Sequence, residues 1–333
     1  MALLLSITQG CVPDSTLALE LPCGGTQAEG RCEAEALITL DGAPAALSVL
    51  GNTLSYCTVD AGGSRLWQAA ASGDDSPAER AWSQWTCVDV ASDGSSAFWA
   101  LGAESDPSAG GVERVAPDGS REVLPGIDPG GVALSDDHVW TLAGVPGVDK
   151  SCVIRAPKSS LSAGEVSEPS CSPGRAGPIV VGSSGSIAWS VPEHEEVVAM
   201  PTFGGEPRVL FNASSSTGEP PAPRTLALAR GQVFFALRGA LWQVSVTGSG
   251  PAEAIEELTP GVEIVAADEH AVWWLDDLEG RLHQYDLESG RSFIAAEGLE
   301  QPGAITMDST HVYVGERGRV SRLRKTRPRE PLQ

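Results

Sequence analysis

Histidine, cysteine and carboxylate are the residue types with chemistry to offer here, and their surroundings limit what that chemistry can be. Three of the histidines, His138, His270 and His311, stand in one recurring context, a polar turn followed by an apolar and aromatic run (DDHVW, DEHAVW, STHVY). Acid–base catalysis needs groups that converge. Residues repeating in one slot of a pattern are spread apart by it, so these three read as turn residues. His194 differs, because Glu193, Glu195 and Glu196 flank it. It is the one candidate for proton transfer or metal ligation, set against a solvated acidic turn. The pairs Asp74-Asp75, Asp136-Asp137 and Asp276-Asp277 offer weak calcium ligation, yet aspartates in turns ordinarily accept hydrogen bonds from nearby backbone N–H groups. The chain has no GxSxG, no HExxH, no Gly-rich phosphate loop and no EF-hand run. Motif spacing therefore identifies no catalytic set, no metal site and no cofactor.

The cysteines point to compartment. With Cys11 set aside, six remain, and they fall into local pairs, Cys23–Cys32, Cys57–Cys87 and Cys152–Cys171. Six cysteines admit many other pairings, and locality alone does not choose among them. No pair has CxxC spacing and no histidine lies nearby to complete a zinc site, so disulfides in an oxidising compartment are expected, against scattered reduced thiols. The first residues, MALLLSITQGC, form an apolar run too short to span a bilayer. It resembles the end of a bacterial lipoprotein signal, with Gly10 before a lipidated Cys11. Thr8 and Gln9 depart from that pattern, and an ordinary frayed terminus is the alternative. The formal charge of −22 excludes a general nucleic-acid binder, which needs clustered cations. No later segment is apolar enough to cross a membrane, so membrane contact is expected only through a lipid anchor.

The elements that must position these residues are repeats. The stretch Gly261 to Arg291 holds three alternating runs, Glu263–Ala267, Ala271–Leu275 and Arg281–Leu287, separated by turn residues, which is an antiparallel meander. A lone meander cannot bury both faces, and copies stacked side by side can. The middle run Val272-Trp273-Trp274 has equivalents at Leu54-Ser55-Tyr56, Ala97-Phe98-Trp99, Val139-Trp140-Thr141, Ile187-Ala188-Trp189, Val233-Phe234-Phe235 and Val312-Tyr313-Val314, spaced 39 to 48 residues apart. A second series, beginning at Leu66, Val112, Val153, Val197, Leu241, Leu282 and Val320, repeats the count of seven. Self-similarity at that period predicts an all-β, seven-bladed β-propeller. Prolines at 44, 129, 178, 223, 260 and 302 precede first strands, where the missing N–H costs no central ladder. The last repeat stops after its third strand, so Glu35–Leu40 (EALITL) is expected to close it beside Val320–Leu323; an eighth blade or an open arc is the alternative. The reading divides the chain into a signal remnant (1–11), a linker (12–34), the propeller (35–325) and a tail (326–333).

The runs Val272-Trp273-Trp274-Leu275-Asp276 with Gly280-Arg281-Leu282, and His311-Val312-Tyr313-Val314 with Gly318-Arg319-Val320, resemble bacterial extracytoplasmic propellers of the NHL and YWTD-like kind. The resemblance implies the architecture and leaves function open, because propellers serve as binders, scaffolds and enzymes. Two functions follow. One is a monomeric, non-enzymatic propeller presenting a ring face to a protein or carbohydrate. The other is a lyase or glycan-processing enzyme with a site in the central funnel. The long connections Ala103–Gly111, Ala143–Ser151, Leu161–Gly177 and Asn212–Arg224 lie in blades two to four. Long loops on a rigid scaffold carry specificity, so Glu104, Asp106, Asp149, Glu193, His194 and Glu219 are the candidate contacts. The aromatics Trp99, Trp140, Trp189, Phe234, Trp273, Trp274 and Tyr313 read as packing between blades. A basic run, Arg317, Arg319, Arg322, Arg324, Lys325, Arg327 and Arg329, is either a solvated tail or a clamp onto the protein's own acidic surface or an anionic envelope component. On the same ring face, Cys57 ends a second strand where Cys87 begins the next blade, and Cys171 is expected after an outer strand.

Overall fold

The computed structural model describes residues 26–28, 31–40, 42–102, 110–125, 127–144, 150–163, 165–173, 177–191, 194, 196–212, 223–259, 262 and 264–325. A hairpin of β1 (Thr26–Ala28) and β2 (Arg31–Glu33) precedes β3 (Glu35–Thr39). Blade one is β4 (Pro44–Leu50), β5 (Thr53–Asp60), β6 (Gly63–Ala70) and β7 (Ala78–Ser83). Blade two is β8 (Thr86–Ser92), β9 (Ala97–Gly102), β10 (Gly111–Val115) and β11 (Arg121–Pro125). Blade three is β12 (Asp128–Leu134), β13 (His138–Gly144), β14 (Lys150–Pro157) and β15 (Glu165–Pro173). Blade four is β16 (Ile179–Gly182), β17 (Ser186–Val191), β18 (Glu196–Pro201) and β19 (Arg208–Asn212). Blade five is β20 (Ala227–Ala229), β21 (Gln232–Leu237), β22 (Ala240–Ser245) and β23 (Glu253–Glu257). Blade six is β24 (Ile264–Ala267), β25 (Ala271–Asp276), β26 (Arg281–Asp286) and β27 (Arg291–Ala296). Blade seven runs β28 (Ala304–Met307), β29 (His311–Glu316), β30 (Arg319–Arg324) and then β3, so the chain closes its own ring.

The closing ladder is as expected from the strand pattern. Glu35 pairs with Arg322 and Thr39 with Arg319, and Leu40 N donates to Gly318 O at 2.7 Å. Ile38, 5 % exposed, packs with Tyr313, Val320, Leu54 and Tyr56 across the joint between blades seven and one. Seven apolar clusters lie one to each interface between neighbouring blades, so the core is a ring of sheet-on-sheet contacts. This explains why the second strands read as continuous apolar runs. Buried on both faces, β9 and β25 have no solvent side to make polar. Trp99, Trp140, Trp189, Phe234, Trp273, Trp274 and Tyr313 are all buried in these interfaces.

Two details of blade three differ from expectation. The segment taken as a long crossing, Leu161–Gly177, contains the outer strand β15, and Cys171 lies inside that strand, directly opposite Cys152. The strand was hidden because EVSEPSCSP lacks alternation and carries a proline. Both are tolerated on an edge strand, where one side of the ladder is open. The remaining connection to β16 is short.

The two faces of the ring differ. The turns joining second to third strands and the crossovers between blades share one face, the upper; the remaining turns share the lower. Glycines with left-handed backbone close the upper turns of blades five to seven. Gly280 is one, at φ 62°, and a Cβ there would lie 2.4 Å from Leu299 O, so no other residue fits without displacement. Each of these turns accepts a bond from the crossover leaving its own blade: Leu258 N to Gly239 O, Leu299 N to Gly280 O, Leu40 N to Gly318 O.

Candidate functional site

The inner strand of every blade pairs on one side only, with its own second strand, and turns its other edge toward the axis. The seven edges enclose a channel of about 530 Å³. Its walls come from β4, β8, β12, β16, β24 and β28 and from the stretch Arg224 to Leu228. Register shifts open the first strands of blades one to three, between Pro44 and Ala46, Cys87 and Asp89, and Pro129 and Gly131. The extra residues, Ala45, Val88 and Gly130, all line the channel, which is the bending and re-aiming that bulges produce.

Almost the whole described lining is aliphatic side chain and backbone; its charged members among the described residues are Asp89 and Arg224. Asp89 Oδ2 accepts the backbone N–H of Val132 from the next blade at 3.0 Å, and Oδ1 accepts that of Val90 at 2.8 Å. The carboxyl lies partly buried in the lumen wall, and desolvation there raises its pKa from 3.8 to about 6 against the two N–H bonds that lower it. Asp89 is also held firmly in place. Two residues before it, Cys87 is bonded to Cys57 of blade one with Cα atoms 6.5 Å apart, and Ser64 Oγ accepts Cys87 N at 2.7 Å. Arg224 lies three blades farther round the ring and is engaged within the protein.

On the upper face of blades six and seven, Asp276, Glu279, Glu297 and Glu316 are engaged by the fold. Asp276 Oδ1 accepts Leu278 N and Glu279 N, and Glu316, fully buried, accepts Glu300 N and pairs with Arg319. Arg281 bridges Glu279 and Glu297. Below Asp276, the ring of His283 stacks on Trp274 at a centroid distance of 5.1 Å and an interplanar angle of 8°. Burial there holds the His283 pKa below its usual 6.5, although Asp276, Glu279 and Glu256 raise it and Arg281 lowers it further.

Of the residues singled out from sequence, His194 is described and is exposed. Glu104, Asp106, Asp149, Glu193 and Glu219 lie outside the described residues, as do Cys11 and Cys23, so the Cys23–Cys32 pairing and the lipidation site are not placed. The other two disulfides are formed, and the Cys152–Cys171 Cα separation is 3.9 Å. His138 and His311 each begin a second strand and His270 directly precedes one, all on the lower face in different blades. Aspartate caps two of these turns: Asp268 Oδ1 accepts His270 N, and Asp308 Oδ1 accepts His311 N. Among the described residues, no group of three or more His, Cys, Asp or Glu is placed to hold a metal. Much of the basic run clamps onto the protein itself. Arg319 pairs with Glu316, Arg322 with Glu35 and the carbonyls of Ala71 and Ser72, and Lys325 with Asp268.

Sequence reasoning passed over Asp89. The available signal was its position: aligned through the second strands, its slot holds Ala46, Gly131, Pro178, Thr225, Ile264 and Ala304 in the other blades, and Asp89 alone is charged.

No family model matches the chain, and no curated protein matches it. Solved structures do. Virginiamycin B lyase from Staphylococcus aureus superposes with a TM-score of 0.66 at 12% identity, over 88% of this chain and 98% of that one. YCF48 bound to the D1 peptide gives 0.63 at 15%, over 88% and 96%. The extracellular domain of a one-component system from B. thetaiotaomicron gives 0.62 at 12%, over 88% of this chain and 40% of that one. At these identities the likeness establishes one thing, the seven-bladed propeller fold.

Proposed function

We propose that this chain is an extracytoplasmic, non-enzymatic propeller that presents its upper face, over blades two to four, to a protein or carbohydrate partner. The observation that carries the reading is the inequality of the upper-face connections. Around blades five, six, seven and one the turns from second to third strand take two to four residues, and in blades five to seven they are bonded to the crossover that leaves the blade. In blades two and three the corresponding turns span 103–110 and 145–149, and the crossover out of blade four spans 213–226. Rigid strands beneath long connections are the usual construction of a recognition surface. The two disulfides support an oxidising compartment, and the YCF48 likeness adds that this fold can hold a peptide in another protein.

The direction of β3 fits a tether. It runs from Glu35 at the lower end to Thr39 at the upper end, so the chain reaches the ring on its lower face. A lipid on Cys11 would then leave the upper face pointing away from the bilayer. The second reading, a lyase, draws on the lyase likeness and on Asp89, whose pKa of about 6 suits proton transfer. The deciding experiment is affinity capture from envelope extract with the intact protein and with a variant whose 103–109, 145–149 and 213–222 connections are cut to short turns. The binding reading expects a partner recovered by the intact protein alone. Equal recovery of everything would remove this face, and turnover of a streptogramin by the purified protein would favour the enzyme.

A further inference from the structure

Asp89 does a job that needs no charge. In blade five, Thr225 occupies the same slot and accepts the equivalent bond, from Val265 N of the next blade at 2.7 Å. Ser48 makes the same kind of link lower in the ring, accepting Ser92 N at 3.0 Å. The slot is filled by Ala46, Gly131, Pro178, Ile264 and Ala304 elsewhere, so five interfaces manage without a side-chain cap at this slot. A neutral hydroxyl would secure blade three to blade two without placing an ionisable group in a confined lumen, which is unfavourable when the group is unpaired. Each Asp89 oxygen is engaged by one backbone N–H and keeps a lone pair for another donor. The β8 bulge turns this group to the channel, and the Cys57–Cys87 bridge holds it there.

From this geometry we propose that the central channel is a binding site for an organic ammonium group, anchored by the Asp89 carboxylate and by the backbone carbonyls along the inner strand edges. An ammonium fits better than a metal ion. The cavity, about 530 Å³, is of small-molecule size, and among the described residues Asp89 is the only carboxylate lining it, whereas a bound metal asks for several ligands. The lining aliphatics that keep some exposure, Val88, Val180, Leu228, Ile264 and Ile305, accommodate the carbon body of such a ligand.

The test uses the full, disulfide-intact chain titrated with n-hexylammonium, and separately with n-hexanol, by ligand-observed NMR in moderate salt, which screens weak attachment to the acidic surface. Asp89→Asn and Asp89→Thr are measured alongside; the threonine variant keeps the cap, as blade five does. The expected result is saturable hexylammonium binding at pH 7.5, weaker binding of hexanol, and a loss of about tenfold or more in affinity for both variants, an energy of about 1.4 kcal/mol. Wild-type affinity should also fall as the pH drops below about 6, where the carboxylate is neutralised. Undiminished binding by either folded variant would assign the ammonium to the outer surface and overturn the proposal. So would the lack of saturable binding by folded wild type at pH 7.5. Neither outcome bears on the upper-face connections, which the capture experiment tests independently.

Discussion

At the scale of single residues, two partly buried titratable groups shift how stability responds to pH, in opposite directions. Asp89 has a folded pKa of about 6 against an ordinary 3.8, so the folded state holds a proton that the unfolded chain has released between those values. Stability from this group is therefore fully present below pH 3.8 and declines as the pH rises to about 6. Asp89→Asn removes the ionisation and keeps one acceptor. It should be more stable than wild type at pH 7.5, by about 1–2 kcal/mol, with the difference vanishing near pH 4. Urea denaturation at both values checks this, and a variant less stable at pH 7.5 would contradict it. His283 behaves the other way. Its folded pKa lies below 6.5, so the unfolded chain takes up the proton first, and stability present above pH 6.5 is lost as the pH falls through and below that value. His283→Phe preserves the stack on Trp274 and removes the titration. Its melting temperature should gain on wild type as the buffer moves from pH 7.5 to 5.5, and parallel shifts of the two proteins would rule the explanation out.

At the scale of elements, the disulfides and the inner-strand caps decide how firmly neighbouring sheets are joined. Cys57–Cys87 ties blade one to blade two, with 30 residues of sequence between its ends, while Cys152–Cys171 staples an outer strand to its own sheet over 19. In the chain-entropy account the longer loop gains more, about 3–4 kcal/mol against about 3 for the shorter. Replacing both Cys57 and Cys87 by serine should therefore lower unfolding free energy by roughly that amount, as read from the urea midpoint. A midpoint equal to wild type would mean that β8 is seated by packing and by Ser64 alone. The edge strand β15 has no apolar alternation to hold it, so loss of Cys152–Cys171 should raise hydrogen exchange in 165–173 while the inner strands stay protected.

At the scale of the molecule, blade seven differs from the other six because the chain does not connect its third strand, β30, to its outer strand, β3. The ladder between β3 and β30, the Ile38 contact and the Arg322–Glu35 pair close it. Ile38→Ala removes buried carbon from a site shared by two blades and should cost about 2–4 kcal/mol. Deleting residues through Leu40 should do more, exposing the β30 edge and promoting association, visible as light scattering below the wild-type melting temperature. A truncated protein that melts like the parent would show that the ring does not depend on its closing strand.

The blade count, the second and third strands, the closing role of Glu35–Leu40 and the Cys57–Cys87 bridge were all legible in the sequence. The reason is physical. A propeller repeats one local pattern, each second strand must be apolar on both faces, and the period states how many copies share the ring. The tertiary structure alone decided what the repeats enclose. Asp89 becomes a channel group because seven sheets curve around an axis, a β-bulge aims it inward, and Val132, 43 residues away, supplies its partner. Lys325 meets Asp268 because blades six and seven pack side by side, and Arg322 meets Glu35 because the ring closes; no local pattern relates either pair of charges. The outer strand of blade three stayed hidden because an edge needs no apolar alternation, and only its pairing with β14 makes it a strand.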